Sequence, residues 1–220
     1  MSHSVHPYSH RLGIIRDWKS RWFGTHKKYR DFLKGDMVIR KFIESKYRGY
    51  YIAGCEIERS EKTLRVVLKT SRPGMLIGRN GEGVTKLKTN LAALLKKQEL
   101  IGKEDLRVDI EEVRSPESNA HIVSQMVAEA LEKRMPFRRV LKQTVEKVMA
   151  NRDVKGVRIA LAGRLGGAEM ARREELKKGR IPLQTFRADI DFSRYEGHMT
   201  YGQIGIKTWI YRGEVFNNNK

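Results

Sequence analysis

Two glycines three positions apart, Gly78 and Gly81, constrain the fold of this chain more than any other feature of its sequence. Residues on both sides of the pair follow helical apolar spacing, so the glycines indicate a tight turn between two helices. Two β-rich segments, 51–58 and 63–70, precede the turn, and the polar residues between them suit a hairpin. The segment 106–111 alternates strictly between apolar and polar residues and predicts a half-buried strand.

The segment 29–47 completes this series, because its apolar residues recur at helical spacing with an interruption near Gly35 and Asp36. It predicts one or two short helices, so residues 29–114 run helix, strand, strand, helix, loop, helix, strand. This order around a Gly-x-x-Gly loop is typical of the type II KH nucleic-acid-binding module. Glycines let the backbone approach a sugar-phosphate chain, and the next helix points unpaired amides at its phosphates. The predicted RNA-binding loop consists of Gly78, Arg79, Asn80 and Gly81.

Basic charge is concentrated in two blocks of the chain. In total, 45 basic and 26 acidic residues leave a formal charge of +19. Residues 1–40 hold 9 basic against 3 acidic residues, and residues 133–180 hold 15 against 5, whereas 41–132 amount to only +2. Such blocks predict a polyanionic partner, because a protein that neutralises phosphates releases condensed counterions. An acidic membrane surface is a weaker alternative, since the basic segments lack a bulky apolar face.

Length and composition exclude several other classes of protein. The 220 residues, 40% of them apolar, are enough for one large domain or two small ones. No apolar run approaches the roughly 18 residues that cross a bilayer, and we expect no signal peptide. The single cysteine, Cys55, cannot form an internal disulfide and lies on a predicted strand, so we expect a packing role in a reducing, cytoplasmic compartment.

We predict an α+β protein of four parts. A basic N-terminal arm covers 1–28, a KH-like α/β domain covers 29–114, a second domain of two helices on an antiparallel or mixed sheet covers 115–213, and a polar tail covers 214–220. The arm could order on RNA, with its aromatic residues stacking on bases, or pack as a strand on the body of the protein.

The second domain is predicted to begin with a helix, because Ser115, Pro116 and an acid are typical of a helix start. This helix runs to about Arg134, and Pro136 must end it. A second helix follows from Phe137 to Asn151. Three further segments are predicted strands, and the Arg-rich stretch 163–182 between the first two is predicted to be a loop. The strands are 157–161, 185–192 and 204–211.

Cations on the second of these helices form a candidate RNA contact. Apolar residues, among them Leu141 and Val145, share one face, while Arg138, Arg139 and Lys142 share the other. A fixed row of cations holds phosphates without sequence preference. Further candidates for contact with ribosomal RNA lie in the arm and in the Arg-rich stretch. They are Arg11, Arg16, Lys19, Arg21, Lys27, Lys28, Arg164, Arg172, Arg173, Lys177, Lys178 and Arg180.

Seven segments, in order and across nearly the whole chain, resemble the family of the bacterial small-subunit ribosomal protein three. They are 5–7 with 11–14, 71–78, 137–139, 162–169, 179–183, 187–191, and 201–202 with 205–207. The resemblance implies a non-enzymatic component of the small subunit's head that binds 16S ribosomal RNA and lines the entrance of the messenger RNA channel. It also implies that ribosomal proteins ten and fourteen are neighbours, and that Arg138, Arg139 and Lys142 contact and help to unwind the message. The chain departs from many relatives at Gln143 and Pro136.

Other chemistry has weaker support in the sequence. No segment has the spacing of a P-loop, and the glycines at 163–167 have the wrong spacing for a dinucleotide loop. Asp189 and Asp191 form an acidic pair on a predicted strand, for which solvated or arginine-paired side chains are favoured over a metal site. We expect no catalytic residues, cofactor, metal or homo-oligomer; the alternatives are a nuclease or lyase, and a KH regulator that binds messages away from the ribosome. Three histidines, His3, His6 and His10, do not suggest a zinc site.

Overall fold

The chain divides into two compact units in a computed structural model that describes residues 5–98 and 105–216. Residues 18–114 form one unit, called the KH unit below. Residues up to 17 join those from 115 onward in the other, called the C-terminal unit. The arm predicted over 1–28 is therefore not a separate segment, because its two parts pack in different units. Of the predicted tail, residues 217–220 lie outside the described residues, as does His3.

The KH unit contains a four-stranded sheet in the order β1-β2-β3-β4. Strands β2 and β3 form the predicted antiparallel hairpin, while β1 pairs with β2 and β4 pairs with β3 in parallel. The elements are β1 Ser20–Arg21, α1 His26–Lys46, β2 Ile52–Arg59, β3 Thr63–Thr70, α2 Pro73–Ile77, α3 Glu82–Lys97 and β4 Asp105–Glu112. From α1 onward this is the predicted order of elements.

Helices α1 and α3 bury their apolar faces in one core with the sheet. On α3, Leu87, Leu91 and Leu95 are fully buried at the four-residue spacing that predicted this helix. Of the one or two helices predicted over 29–47, the structure has one, because α1 continues through Gly35 and Asp36. Both of these residues are buried, and the Asp36 carboxylate binds side chains of the same unit rather than ending the helix.

The C-terminal unit contains a second sheet, antiparallel throughout, in the order β6-β5-β8-β7. Helix α4 packs on β7 and β8, and α5 packs on β5 and β6, so two helices lie on the sheet as predicted. The elements are α4 Ala120–Glu132, α5 Phe137–Met149, β5 Gly156–Gly163, β6 Arg172–Gly179, β7 Ala188–Met199 and β8 Gly202–Glu214. Pro136 separates the two helices, also as predicted.

Two predictions in this unit need correction. A 3-10 turn, Pro116–Ser118, begins after Ser115 as predicted. The α-helix itself, α4, begins only at Ala120, because the Asn119 side chain caps it by accepting bonds from the amides of residues 121 and 122. The Arg-rich stretch includes the edge strand β6, which pairs with β5 over eight residues. The strand could not be recognised from its sequence, because Leu176 is its one apolar residue. Charged side chains are common on strands at the exposed edge of a sheet.

Arg11 anchors the N-terminal segment to the C-terminal unit. Its guanidinium is fully buried and donates to five backbone carbonyls at 2.6–3.4 Å. The acceptors are those of Pro7, Pro182, Leu183, Thr185 and Ala188. Burial lowers the pKa of Arg11 from its ordinary value. The prediction that Arg11 contacts ribosomal RNA is therefore wrong, since a buried guanidinium whose three nitrogens all donate to carbonyls cannot reach a phosphate.

Candidate nucleic-acid interface

The Gly-x-x-Gly loop connects α2 to α3 and is held in left-handed backbone conformations. The φ angles of Gly78, Asn80 and Gly81 are 69°, 49° and 80°. Glycine adopts such angles without strain, and asparagine tolerates them better than most residues. Arg79 lies exposed at the tip of the loop, and no described residue pairs with its guanidinium. The loop thus presents bare backbone and one unpaired cation, as the sequence predicted for an RNA-binding loop.

Helix α3 begins at this loop without a side-chain cap. Gly81 is the N-cap residue, and none of the described side chains accepts a bond from the first amides of α3. Those amides and the helix dipole favour an anion at this point. Arg79 and the start of α3 therefore offer two features that suit a phosphate, although Glu82 in the first turn adds one opposing charge.

Gly83 fixes the distance between α2 and α3. A Cβ atom at this position would lie 2.2 Å from the carbonyl oxygen of Leu76 and 2.8 Å from that of Ile77, both of which are backbone. We expect Gly83→Ala to displace the loop and to destabilise the unit by roughly 1–3 kcal/mol through overpacking. Faster hydrogen exchange in peptides that cover α2 and the start of α3, measured by mass spectrometry on the full chain, would report this.

Gly74→Ala is the matched control for that change. Gly74 also lies in α2, but a Cβ there would meet nothing within 4 Å and the φ angle is ordinary. Alanine should then be neutral or stabilising by up to about 1 kcal/mol. Equal exchange in the two variants would contradict the role assigned to Gly83.

Helix α5 presents the predicted row of cations, called the α5 row below. Val140, Leu141, Val145 and Val148 are buried, while Arg138, Arg139 and Lys142 are exposed on the opposite side. Glu174 on β6 lies 3.4 Å from Arg138, and none of the described residues pairs with Arg139 or Lys142. The buried face fixes the helix on the sheet, so the backbone positions of the row are fixed. Gln143 is exposed beside the row, and Pro136 simply precedes the first helical residue.

The position of two arginines in the α5 row does not favour stability. Arg138 and Arg139 are in the first turn of α5, where the helix dipole is positive, and no acid occurs there. Cations at this end of a helix are unfavourable by about 0.3–1 kcal/mol each. The same end exposes unpaired amides, so an anion placed there would meet both amides and arginines. This arrangement suits a phosphate ligand better than it suits the isolated protein.

The α5 row lies next to the predicted Arg-rich RNA contact. The guanidinium of Arg172 lies 5.3 Å from the centroid of the Phe137 ring, and that of Arg138 lies 5.8 Å from it. A Cβ on Gly166 would be 3.9 Å from the same ring, so the glycine turn at 163–167 also reaches it. Phe137 therefore lies between the α5 row and the Arg-rich stretch 163–182, which were predicted as two separate RNA contacts. Its role could not be read from the sequence, where its spacing indicates only a core residue.

Arg164 is exposed on the glycine turn and is partly held by backbone oxygens. It donates to the carbonyls of Ala168 at 3.0 Å and Tyr201 at 3.4 Å, and lies 5.8 Å from the Tyr201 ring centroid. Gly167, with φ of 80°, packs its backbone against the same ring, where a Cβ would lie 3.3 Å from the nearest carbon. The turn thus directs a positioned guanidinium outward.

The other predicted RNA contacts differ in how far their charges are already neutralised. Arg173 pairs with Glu175 at 3.0 Å, and Arg16 with Asp189 at 2.6 Å. A hydrogen bond from Arg158 holds the pKa of Glu175 below its ordinary value, so that acid stays charged. Lys19 is half-buried. The remaining arm and β6 candidates that are exposed and unpaired among the described residues are Lys27, Lys28, Lys177, Lys178 and Arg180.

The outer face of the KH sheet carries charges that neutralise one another. Arg21 pairs with Glu56 and Glu58, and Arg65 pairs with Glu58 and Asp109. This face attracts a polyanion only weakly, so the predicted RNA contact of Arg21 has little support. Trp22 is one of the arm's aromatic residues, and its indole donates to the Asp36 carboxylate on α1 at 2.8 Å, which favours the alternative that the arm packs on the protein.

The remaining polar groups show structural roles. Asp189 and Asp191 pair with arginines as expected, and Asp191 also accepts a bond from the amide of Ala120 at 2.9 Å. Cys55 is buried, which raises the pKa of its thiol to about 11 and leaves it unreactive. Within residues 5–98 and 105–216, no cluster of three or more acids, histidines or cysteines suits a metal ion. No helix of the described part of the chain has the length and apolar character of a membrane span.

Comparison with known proteins matches each of the two units to a family model. Residues 38–118 match the family model described as KH domain, and residues 127–210 match the one described as Ribosomal protein S3, C-terminal domain. Proteins named small ribosomal subunit protein uS3 are similar over the whole chain. That of Syntrophomonas wolfei is 45% identical, covering 100% of this chain and 93% of the relative. That of Clostridium novyi is 42% identical, covering 100% and 96%.

The relative from Caldicellulosiruptor saccharolyticus is 44% identical and covers 98% of this chain and 94% of its own length. These matches confirm the resemblance that the seven segments indicated, and they identify a ribosomal protein rather than an enzyme. The KH-like first domain and the helices-on-sheet second domain are confirmed with it. The chain belongs to the ribosomal protein S3 family of the small ribosomal subunit.

Proposed function

We propose that this protein is a structural component of the head of the cytoplasmic small ribosomal subunit, where it binds 16S ribosomal RNA and contacts messenger RNA at the channel entrance. The observation that carries the messenger contact is the α5 row. Arg138, Arg139 and Lys142 are exposed on a helix whose other face is buried, and the two arginines occupy a helix end where they do not favour stability.

The chemistry of the α5 row suits a strand that moves. Attraction between cations and phosphates does not depend on base sequence, so any message is held equally well. A helix fixed on the sheet keeps its cations from moving along with the strand, which helps to hold one strand while a duplex ahead of it opens. Arg172, which lies over the Phe137 ring and is paired with Glu174 at 3.7 Å, and Arg164 on the adjoining glycine turn add further guanidiniums near the row.

Contact with ribosomal RNA is assigned to the unpaired cations elsewhere. In the KH unit these are Arg79 at the Gly78–Gly81 loop, Lys27 and Lys28. In the C-terminal unit they are Lys177, Lys178 and Arg180 on and after β6.

One surface of the KH unit suits a protein neighbour better than RNA, and ribosomal proteins ten and fourteen are the proposed partners. Tyr29, Leu33 and Met37 recur every four residues on α1 and are all exposed. An apolar stripe of this kind gains most by packing on another apolar surface.

The test of the messenger contact removes the three cations of the α5 row together. Small subunits reconstituted with Arg138→Ala, Arg139→Ala and Lys142→Ala should translate an unstructured message normally and slow down at a stable hairpin. In the isolated protein, the binding constant for single-stranded RNA should fall less steeply with salt. The slope of its logarithm against the logarithm of the salt concentration should decrease by about 2, since each neutralised phosphate contributes about 0.7. Thermal unfolding should show no loss of stability, because the two arginines are at the positive end of the helix.

A variant with Lys34→Ala, Lys96→Ala and Lys97→Ala removes the same charge from exposed positions of the KH unit. It should pass the hairpin at the normal rate. Equal progress of both triple variants through the hairpin would refute the role of the α5 row. Sedimentation of cell extract on a sucrose gradient separately checks the ribosomal assignment, since a free KH regulator would remain near the top.

A further inference from the structure

A cleft of about 350 Å³ opens on the C-terminal unit, beside the strand ends where β5 begins and β6 and β8 end. Five residues line it: Lys155, Arg180, Tyr211, Glu214 and Phe216. Only Arg180 was singled out from the sequence. The cleft is separate from the α5 row, whose residues do not contribute to its lining.

Two glycines bring the cations of this cleft together. A Cβ on Gly156 would lie 2.0 Å from the carbonyl oxygen of Arg180, and one on Gly179 would lie 2.3 Å from that of Lys155. The start of β5 and the end of β6 therefore lie so close together that a side chain at Gly156 or Gly179 would clash with the backbone of the other strand. None of the described residues pairs with the Lys155 ammonium or the Arg180 guanidinium. Two unpaired cations thus line one small cleft.

The acid in the cleft is neutralised, and the aromatic ring is exposed. Glu214 accepts a hydrogen bond from Arg187 at 2.6 Å, so its charge offers little repulsion to an anion. Phe216 is 67% exposed, and the Arg187 guanidinium lies 5.4 Å from its ring centroid. A large exposed ring beside cations is the combination that binds a base next to its phosphate.

We propose that this cleft binds one nucleotide of an RNA strand, with its phosphate between Lys155 and Arg180 and its base stacked on Phe216. The proposal rests on the proposed function only in taking RNA as the ligand of this protein. A free mononucleotide carries the same phosphate and base, so the experiment compares both sources.

Binding of a short labelled single-stranded RNA to the full chain, followed by fluorescence anisotropy over a range of salt concentrations, tests the cleft. Lys155→Ala with Arg180→Ala should reduce the log-log salt slope by about 0.7 for each phosphate that the variant no longer neutralises. Phe216→Ala should weaken binding by about tenfold, and Phe216→Tyr should restore it, because stacking needs only an aromatic face. Ultraviolet crosslinking should join RNA to the peptide that contains Phe216.

The matched control is Lys97→Ala with Arg152→Ala, which removes the same two charges from exposed positions outside the cleft. Equal affinity and slope in the two double variants would overturn the proposal. Adenosine monophosphate that binds the cleft more tightly than the RNA would also overturn it, by assigning the cleft to a free nucleotide. The α5 triple variant in the same assay separates the proposals: if it alone lowers the slope, the cleft proposal fails and the proposed function stands.

Discussion

Replacing Arg11 with methionine should destabilise the C-terminal unit by roughly 3–5 kcal/mol. Methionine fills a similar volume but provides no donors, so five carbonyl oxygens lose the guanidinium that now binds them. Urea unfolding of the full chain gives the loss of free energy. Hydrogen exchange shows where the loss is located, and it should rise most in peptides that cover 5–17 and 182–190.

Two further variants make the Arg11 result specific. Arg11→Lys keeps the charge but has only three donors on one nitrogen, so it should recover part of the stability and not all of it. Arg173→Ala removes an arginine that is 56% exposed and paired with Glu175, and should cost less than about 1 kcal/mol. If Arg11→Met were no more harmful than Arg173→Ala, the buried guanidinium would not be what holds residues 5–17 in place.

Replacing Asp36 with alanine should have a comparable effect on the KH unit. The Asp36 carboxylate lies 2.9 Å from the Arg59 guanidinium, and it also accepts the indole N–H of Trp22 at 2.8 Å. Both members of the ion pair are buried, so the variant leaves a buried guanidinium without its carboxylate. The expected loss is about 3–5 kcal/mol, measured by urea unfolding.

Arg59→Met in the Asp36→Ala background tests whether the loss comes from separating the Arg59 guanidinium from the Asp36 carboxylate. Methionine retains a flexible apolar side chain beside Phe32, over whose ring Arg59 now lies at 4.8 Å. The double variant should recover much of the stability, since a buried pair is often little better than an apolar replacement. A double variant as unstable as Asp36→Ala alone would show that the carboxylate acts through Trp22 instead.

The sequence was sufficient to predict elements that depend on local periodicity or turn chemistry. The three- and four-residue spacing of the apolar residues Val84, Leu87, Leu91, Leu94 and Leu95 predicted α3. Pro136 predicted the break between α4 and α5. Both signals arise within a few residues. The exposed face of α5 followed from the same periodicity. The glycine loop could be located because glycine adopts the positive φ angles at Gly78 and Gly81 without strain.

Features that depend on distant partners could not be predicted. Arg11 resembles any other arm cation in the sequence, and only carbonyls more than 170 positions away show that it is buried. Strand β6 is charged because it lies at the sheet edge, and that location depends on β5. Asn119 rather than Ser115 caps α4, and this start is favoured by the hydrogen bond that the amide of Ala120 donates to the carboxylate of Asp191 on β7. The contacts of Glu174 with Arg138 and of Phe137 with Arg172 likewise depend on the packing of α5 on the sheet.

The bond between Arg11 and the carbonyl of Ala188 spans 177 positions, which has a consequence for how the protein is made. Synthesis proceeds from the N-terminus, so residues 5–17 have no place to bind until the chain has passed residue 188. The KH unit, by contrast, is one continuous stretch and has all its partners as soon as residue 114 is available. Contacts of such long range also form slowly. Residues 5–17 are therefore translated before the KH unit and fold after it.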